Sequence, residues 1–138
     1  MKNEFFKGRK ILIVEDDLSS KLYLNKILEK TEVTILNAGD GQEAIDILLA
    51  NPDTDIVLMD IQLPVMDGYT TAKKIRESGN NVIIIAQTAY GLLGEKEKIM
   101  DSGFDDYLIK PIFSQNLIDK LKTNLERLRS SSDTDYSG

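Results

Sequence analysis

Five short apolar runs alternate along the chain with segments of helical period, and this alternation constrains the fold more than any other feature. The runs are Lys10-Ile11-Leu12-Ile13-Val14, Val33 to Ala38, Ile56-Val57-Leu58-Met59, Val82-Ile83-Ile84-Ile85-Ala86 and Tyr107-Leu108-Ile109. They are too uniformly apolar for a sheet with one wet face, which would show strict alternation. Between them, Leu18 to Lys30 repeats Tyr23, Leu24, Ile27 and Leu28 at helical spacing. Asp40 and Glu43 form a capping box ahead of Ala44, Ile45, Leu48 and Leu49, and Asn51-Pro52 ends that helix. Gly68 to Ser78 is a helix stopped at Gly79, Gly94 to Ser102 a weaker one, and from Ser114 the residues Leu117, Ile118, Leu121, Leu125 and Leu128 share one face. Strands interleaved with helices in this way predict an α/β fold, a doubly wound five-stranded parallel sheet covered on both sides by right-handed crossovers.

In such a fold an acid at the end of a buried run needs a reason. The stretch DIVLMDIQLPVMDG carries four apolar residues straight into Asp60, and desolvating an unpaired carboxylate there is costly. Asp60 is therefore expected at a strand end, with partners. The carboxyl ends of the strands in a doubly wound sheet face the ligand crevice. The residues that follow the runs are Glu15, Asp16 and Asp17, then Asp60, then Thr88, then Lys110 with Pro111. Each has an ordinary role on its own: Asp16 or Asp17 can cap the helix from Leu18, Asp60 can accept from loop amides, Thr88 can end a strand, and Lys110 can be a solvated charge. Taken together, carboxylates at one edge repel each other unless neutralised. A lysine plus a hard divalent cation would do so, and an all-oxygen site with few protein carboxylates suits Mg²⁺ that also holds a phosphate.

Composition narrows the chemistry. With 138 residues the chain has the size of one domain. It contains no cysteine and no histidine, which removes disulfides, thiolate metal sites and imidazole catalysis. The net charge of −6 argues against nucleic acid as a partner. No segment approaches the roughly 20 apolar residues of a membrane span, and the first apolar run is too short for a signal-peptide core. A cytoplasmic location is expected. Residues 1–9 read as a lead-in, 10–129 as the domain, and 130–138 as a polar tail without periodicity, expected to be disordered.

Glu15-Asp16, Asp60 in LMDIQLPVMDG, Thr88 in QTAYG, Tyr107 in DDYLIKP and the pair Lys110-Pro111 resemble the receiver domain of two-component response regulators, over roughly Lys10 to Arg129. The resemblance implies a (βα)5 flavodoxin-like fold with strand order 2-1-3-4-5. It implies that Asp60 accepts a phosphoryl group from a phosphohistidine on a partner histidine kinase or histidine phosphotransfer protein. Glu15, Asp16, Asp60 and the backbone carbonyl of Gln62 would hold Mg²⁺, and Lys110 would pair with Asp60 and then with the phosphoryl group. Thr88 and the amide of Ala89 would bind phosphoryl oxygens. Gln62 and Tyr90 would tune dephosphorylation, Thr88 and Tyr107 would form the switch, and the Lys110-Pro111 peptide would be cis.

Two other readings are weighed against this one. Dehalogenase-like phosphatases resemble a D-x-D pattern, but the second position here is Gln62, so a turnover enzyme is not expected. A pseudo-receiver that only docks partners would be expected to lack an acid, the threonine or the lysine, and none is missing. The expected output is a change in the face formed by the fourth helix, fifth strand and fifth helix, with homodimerisation through it as one use. Nothing after Arg129 resembles an output module, so the domain is expected to stand alone or to come from a larger regulator or hybrid kinase.

Overall fold

The computed structural model describes residues 4–89 and 93–137. Strands β1 (Lys10–Val14), β2 (Thr34–Ala38), β3 (Ile56–Asp60), β4 (Ile83–Thr88) and β5 (Asp106–Ile109) form one parallel sheet in the order β2-β1-β3-β4-β5. The connecting helices are α1 (Leu18–Glu29), α2 (Gly41–Ala50), α3 (Gly68–Glu77) and α4 (Leu93–Asp101), with α5 (Ser114–Ser137) after β5. The fold class is the one the residue pattern predicts, and the strand order is the one the resemblance implies. Tyr90 and Gly91 lie outside the described residues.

The strands lack polar alternation because both faces of the sheet are covered. Leu12, Val14, Val57, Met59, Ile84 and Ala86 bury against Ala44 and Leu48 of α2, Ala72 and Ile75 of α3 and Ile99 of α4. The intervening residues Ile11, Ile13, Ile56, Leu58, Ile85 and Leu108 face Leu24 and Leu28 of α1 and Leu117, Leu121 and Leu125 of α5. At the carboxyl ends of the central strands β1, β3 and β4 this two-sided apolar burial gives way to the polar side chains of Glu15, Asp60, Gln87 and Thr88.

Three helices begin on an aspartate whose carboxylate accepts a backbone N–H three residues on: Asp17 from Ser20, Asp40 from Glu43 and Asp67 from Thr70. The Glu43 carboxylate reaches back to the Gly39 amide at 3.3 Å, so the predicted box closes one residue before the cap itself. Arg76 ties α3 to the next two elements. Its guanidinium donates to the carbonyls of Asn80, Val82 and Gly103 and to the Asp105 carboxylate, which also accepts the Ile84 amide.

One segment differs from expectation. The polar stretch from Ser130, expected to be disordered, is helical here, because α5 runs to Ser137. Once a helix is nucleated by a packed apolar face, each further residue adds one backbone hydrogen bond, so the helix outlasts the periodicity that predicted it. Among the described residues no helix is long and apolar enough to cross a membrane.

Candidate phosphoacceptor site

Val14 on β1 lies opposite Met59 on β3, so the next residue of each strand, Glu15 and Asp60, comes side by side at the carboxyl edge. The strand order breaks between β1 and β3, the position at which a doubly wound sheet opens its crevice. Glu15, Asp16 and Asp60 each place a carboxylate oxygen within 4.8 Å of the others. Asp17 does not join them: its carboxylate caps α1, and the Ser20 amide and hydroxyl hold it below its ordinary carboxylate range. The structure thus separates two neighbouring acids that the residue pattern alone did not tell apart, along the division the resemblance implies.

Glu15 and Asp60 are only 3% and 4% exposed, whereas Asp16 faces solvent. The Asp60 carboxylate is well partnered. Its Oδ2 accepts from the Lys110 ammonium at 3.0 Å and its Oδ1 from the Gln62 amide at 3.0 Å. The Lys110-Pro111 peptide is cis. Glu15 is less well satisfied: Oε1 accepts from the Asp17 amide at 3.1 Å, while Oε2 is buried without a hydrogen-bond partner. Burial pushes its carboxyl up to about 7, and the nearby Asp60 charge adds to the rise. An orphaned buried carboxylate oxygen in an all-oxygen, net-negative cluster fits a hard divalent cation such as Mg²⁺, and Glu15, Asp16 and Asp60 are the side chains able to hold it.

That elevated carboxyl makes cation binding pH-dependent. The folded value of about 7 lies above the ordinary 4.5, so without a cation the stability contributed by neutral Glu15 is complete below 4.5 and is lost as pH rises through 7. A divalent cation requires the carboxylate, so binding releases a proton. The thermal stabilisation given by Mg²⁺ is therefore expected to be larger at about pH 8 than at about pH 5.5, and Glu15→Gln should flatten that difference. Equal stabilisation of the parent at both values would show that Glu15 takes no part.

The backbone around Asp60 explains the MDG part of the motif. A Cβ on Gly68 would lie 2.6 Å from the Asp60 carbonyl oxygen and 2.8 Å from Ile61 Cα, so α3 can start against the end of β3 only with glycine there. The loop between them turns at Val65, whose φ of 66° is left-handed and whose side chain is fully exposed.

Thr88 ends β4, and its hydroxyl donates to the Glu95 carboxylate in the first turn of α4. Thr88 pairs with Ile109 and Ala86 with Tyr107, so Thr88 and Tyr107 share one face of the sheet, diagonal rather than directly opposite. The Tyr107 ring is half-buried, with the Lys120 ammonium 6.0 Å from its centre. Among the predicted site residues, Glu15, Asp16, Asp60, Gln62, Thr88 and Lys110 come together at the carboxyl edge. Tyr107 stands one strand away, and Tyr90 is outside the described residues. Two neighbours were not foreseen. Glu95 reads in the sequence as an ordinary first-turn acid. Gln87 sits opposite Asp60, 1% exposed, with its amide nitrogen unpartnered; a polar residue directly following a run of five apolar ones was its only signal.

A doubly wound sheet whose acids, lysine and threonine gather at the carboxyl edge defines a small α/β domain with a lysine-paired acidic cluster at that edge. Within that class the match is specific: residues 11–122 fit the response regulator receiver domain, and the chain belongs to that family. It is 35% identical over 136 residues to hybrid signal transduction histidine kinase I of Dictyostelium discoideum, covering 90% of this chain and 8% of the kinase. It is 33% identical over 118 residues to response regulator MprA of a Mycobacterium species, covering 86% of this chain and 51% of the regulator. The chain thus spans a small part or about half of these relatives. In structure it is similar to a two-component response regulator from Clostridium difficile, with a TM-score of 0.82, 33% identity and coverage of 88% and 98% of the two chains. It is also similar to a chain in the Saccharomyces cerevisiae complex of the histidine phosphotransfer protein Ypd1 with the receiver domain of Ssk1, with a TM-score of 0.78, 34% identity and coverage of 83% and 87%.

Proposed function

We propose that the chain accepts a phosphoryl group on Asp60 from a phosphohistidine of a partner histidine kinase or histidine phosphotransfer protein. In the transfer the donor's N–P bond breaks, its electron pair stays on the imidazole, and an Asp60 O–P bond forms. The observation that carries this reading is the Asp60 carboxylate itself, buried at a strand end, bonded to Lys110 and flanked by Glu15 and Asp16. Phosphoryl transfer needs in-line positioning and charge neutralisation more than it needs an acid or base, which suits a site without histidine. Bound Mg²⁺ would supply part of that neutralisation. Glu15, Asp16, Asp60 and the carbonyl of Gln62 would hold the ion, Lys110 would follow a phosphoryl oxygen, and Thr88 with the Ala89 amide would bind the others. Gln62 and Tyr90 would set the lifetime of the acyl phosphate by their place beside the path of attacking water.

In this reading the chain is a cytoplasmic signalling phosphoacceptor and not a turnover enzyme, assisting only its own phosphorylation and dephosphorylation. Tyr23 and Phe113 are large exposed apolar side chains that line one cleft with Lys110, a surface able to seat a donor protein. The similar receiver crystallised with a phosphotransfer protein supports that choice of partner. Output would pass from Thr88 to Tyr107 and change the α4, β5 and α5 face, where Tyr107, Ile109, Asn116 and Lys120 line a cleft of about 480 Å³. A second copy of the domain or another partner would bind there.

Mg²⁺ with beryllofluoride, a stable mimic of the acyl phosphate, tests this. Amide signals of Thr88, Lys110 and Tyr107 are expected to shift in the parent. In Thr88→Ala the mimic should still bind, but the Tyr107 shift should fade. No shift around Asp60 in the parent would sink the reading, whereas an undiminished Tyr107 shift in Thr88→Ala would overturn only the route of transmission.

A further inference from the structure

We propose that Glu95 is a positioning residue for Thr88, holding its hydroxyl on α4 and away from Asp60 until a phosphoryl group claims it. The inference rests on the phosphoacceptor reading above. Its starting point is the bond from the Thr88 hydroxyl to Glu95 Oε1. A threonine hydroxyl has one proton to donate. If Thr88 is to donate to a phosphoryl oxygen on Asp60, it must stop donating to Glu95, so the two anions compete for a single donor.

The surroundings sharpen the competition. Thr88 and Glu95 line one cavity of about 290 Å³ together with Ile61, Gln62, Asp67 and Tyr69, directly beside the end of β3. A phosphoryl group arriving on Asp60 brings negative charge toward a cavity that already holds the carboxylates of Asp67 and Glu95, and repulsion acts in the same direction as the loss of the shared proton. Glu95 sits in the first turn of α4, between Leu93 and Asp101, so releasing it frees the start of that helix. One turn further on, the Lys98 ammonium lies over the Tyr69 ring at 4.3 Å. The consequence is a second line of transmission: α4 is informed by the departure of its own glutamate, as well as through Tyr107.

A glutamate in the first turn of a helix is also favourable for the helix itself, so the test must separate that role from positioning. Beryllofluoride affinity in the presence of Mg²⁺ is measured for the parent, Glu95→Ala, Glu95→Gln, Thr88→Val and the Glu95→Ala/Thr88→Val pair. Removing the competing acceptor in Glu95→Ala should tighten binding roughly three- to tenfold, the equivalent of one hydrogen bond. Glu95→Gln, which still offers a carbonyl oxygen but no charge, should fall between the parent and Glu95→Ala. In the Thr88→Val background the gain from Glu95→Ala should disappear, because no hydroxyl remains to be released. Without the mimic, amides of Gly94 to Lys98 in Glu95→Ala should move toward their positions in the mimic-bound parent.

Unchanged or weakened affinity in Glu95→Ala overturns the proposal. So does a gain of the same size with and without the Thr88 hydroxyl, which would mark Glu95 as a bulk charge. If the parent itself fails to bind the mimic, the phosphoacceptor reading falls and the proposal falls with it. If the parent binds and Glu95 makes no difference, only the positioning role is lost.

Discussion

Asp60→Asn is expected to abolish the phosphoryl adduct completely and, in the absence of divalent cation, to make the fold more stable by about 1–3 kcal/mol. The two effects have one cause. Glu15, Asp16 and Asp60 face each other across less than 5 Å with a single ammonium, Lys110, bonded within the cluster. An asparagine keeps an oxygen for the Gln62 amide, now held by Asp60 at 3.0 Å, and removes a negative charge from beside two other acids. It also removes one of the influences that raise the Glu15 carboxyl, though burial, the larger one, remains. Intact mass after exposure to a small phosphodonor with Mg²⁺ reads the first effect, and urea unfolding without Mg²⁺ reads the second. An adduct on the Asn variant would mean another acceptor. A less stable variant would mean that the attraction of Lys110 for Asp60 exceeds the repulsion from Glu15 and Asp16.

How much of this was readable from the sequence depended on whether one residue's role could be judged from its chain neighbours. The strands were, because burial on both faces leaves five runs with no polar alternation, and the carboxyl-edge acids followed from where those runs stop. The choice of Asp16 over Asp17 came from the family resemblance and not from their place in the chain: both precede α1, and the cap geometry at Ser20 is what assigns Asp17 to the helix. Glu95 was hidden for a different reason. Its partner is seven positions away in sequence, across a turn, and a first-turn acid has a sufficient local explanation. Gln87 could have been noticed as polar at the end of a β-prone run, but that it stands opposite Asp60 is a matter of register, set by pairing between strands. Helix α5 outran its periodicity because continuation depends on backbone hydrogen bonds, which apolar spacing does not report.

Lys110→Met should have the opposite sign from Asp60→Asn. Methionine retains most of the apolar stem beside Pro111 and Ile112 and removes the ammonium, leaving the Asp60 carboxylate, whose side chain is 5% exposed, among acids with only the Gln62 amide. Removing one partner of a fully buried ion pair costs about 3–5 kcal/mol. The Lys110 side chain is 31% exposed, so water already screens the pair, and a loss of about 2 kcal/mol is the reasonable expectation. The distinguishing feature is rescue. A divalent cation supplies the positive charge that the variant lacks, so Mg²⁺ should stabilise Lys110→Met more than it stabilises the parent, while the initial rate of phosphorylation stays below the parent's because one donor to the phosphoryl oxygens is gone. Denaturant titrations with and without Mg²⁺, run beside phosphorylation time courses, separate the two. If Lys110→Met loses no stability without the ion, the 3.0 Å bond between Lys110 and Asp60 does not hold the acid cluster together. If Mg²⁺ gives both proteins the same increment, the ion and the ammonium do not answer the same charge, and the metal would then have to bind away from Asp60.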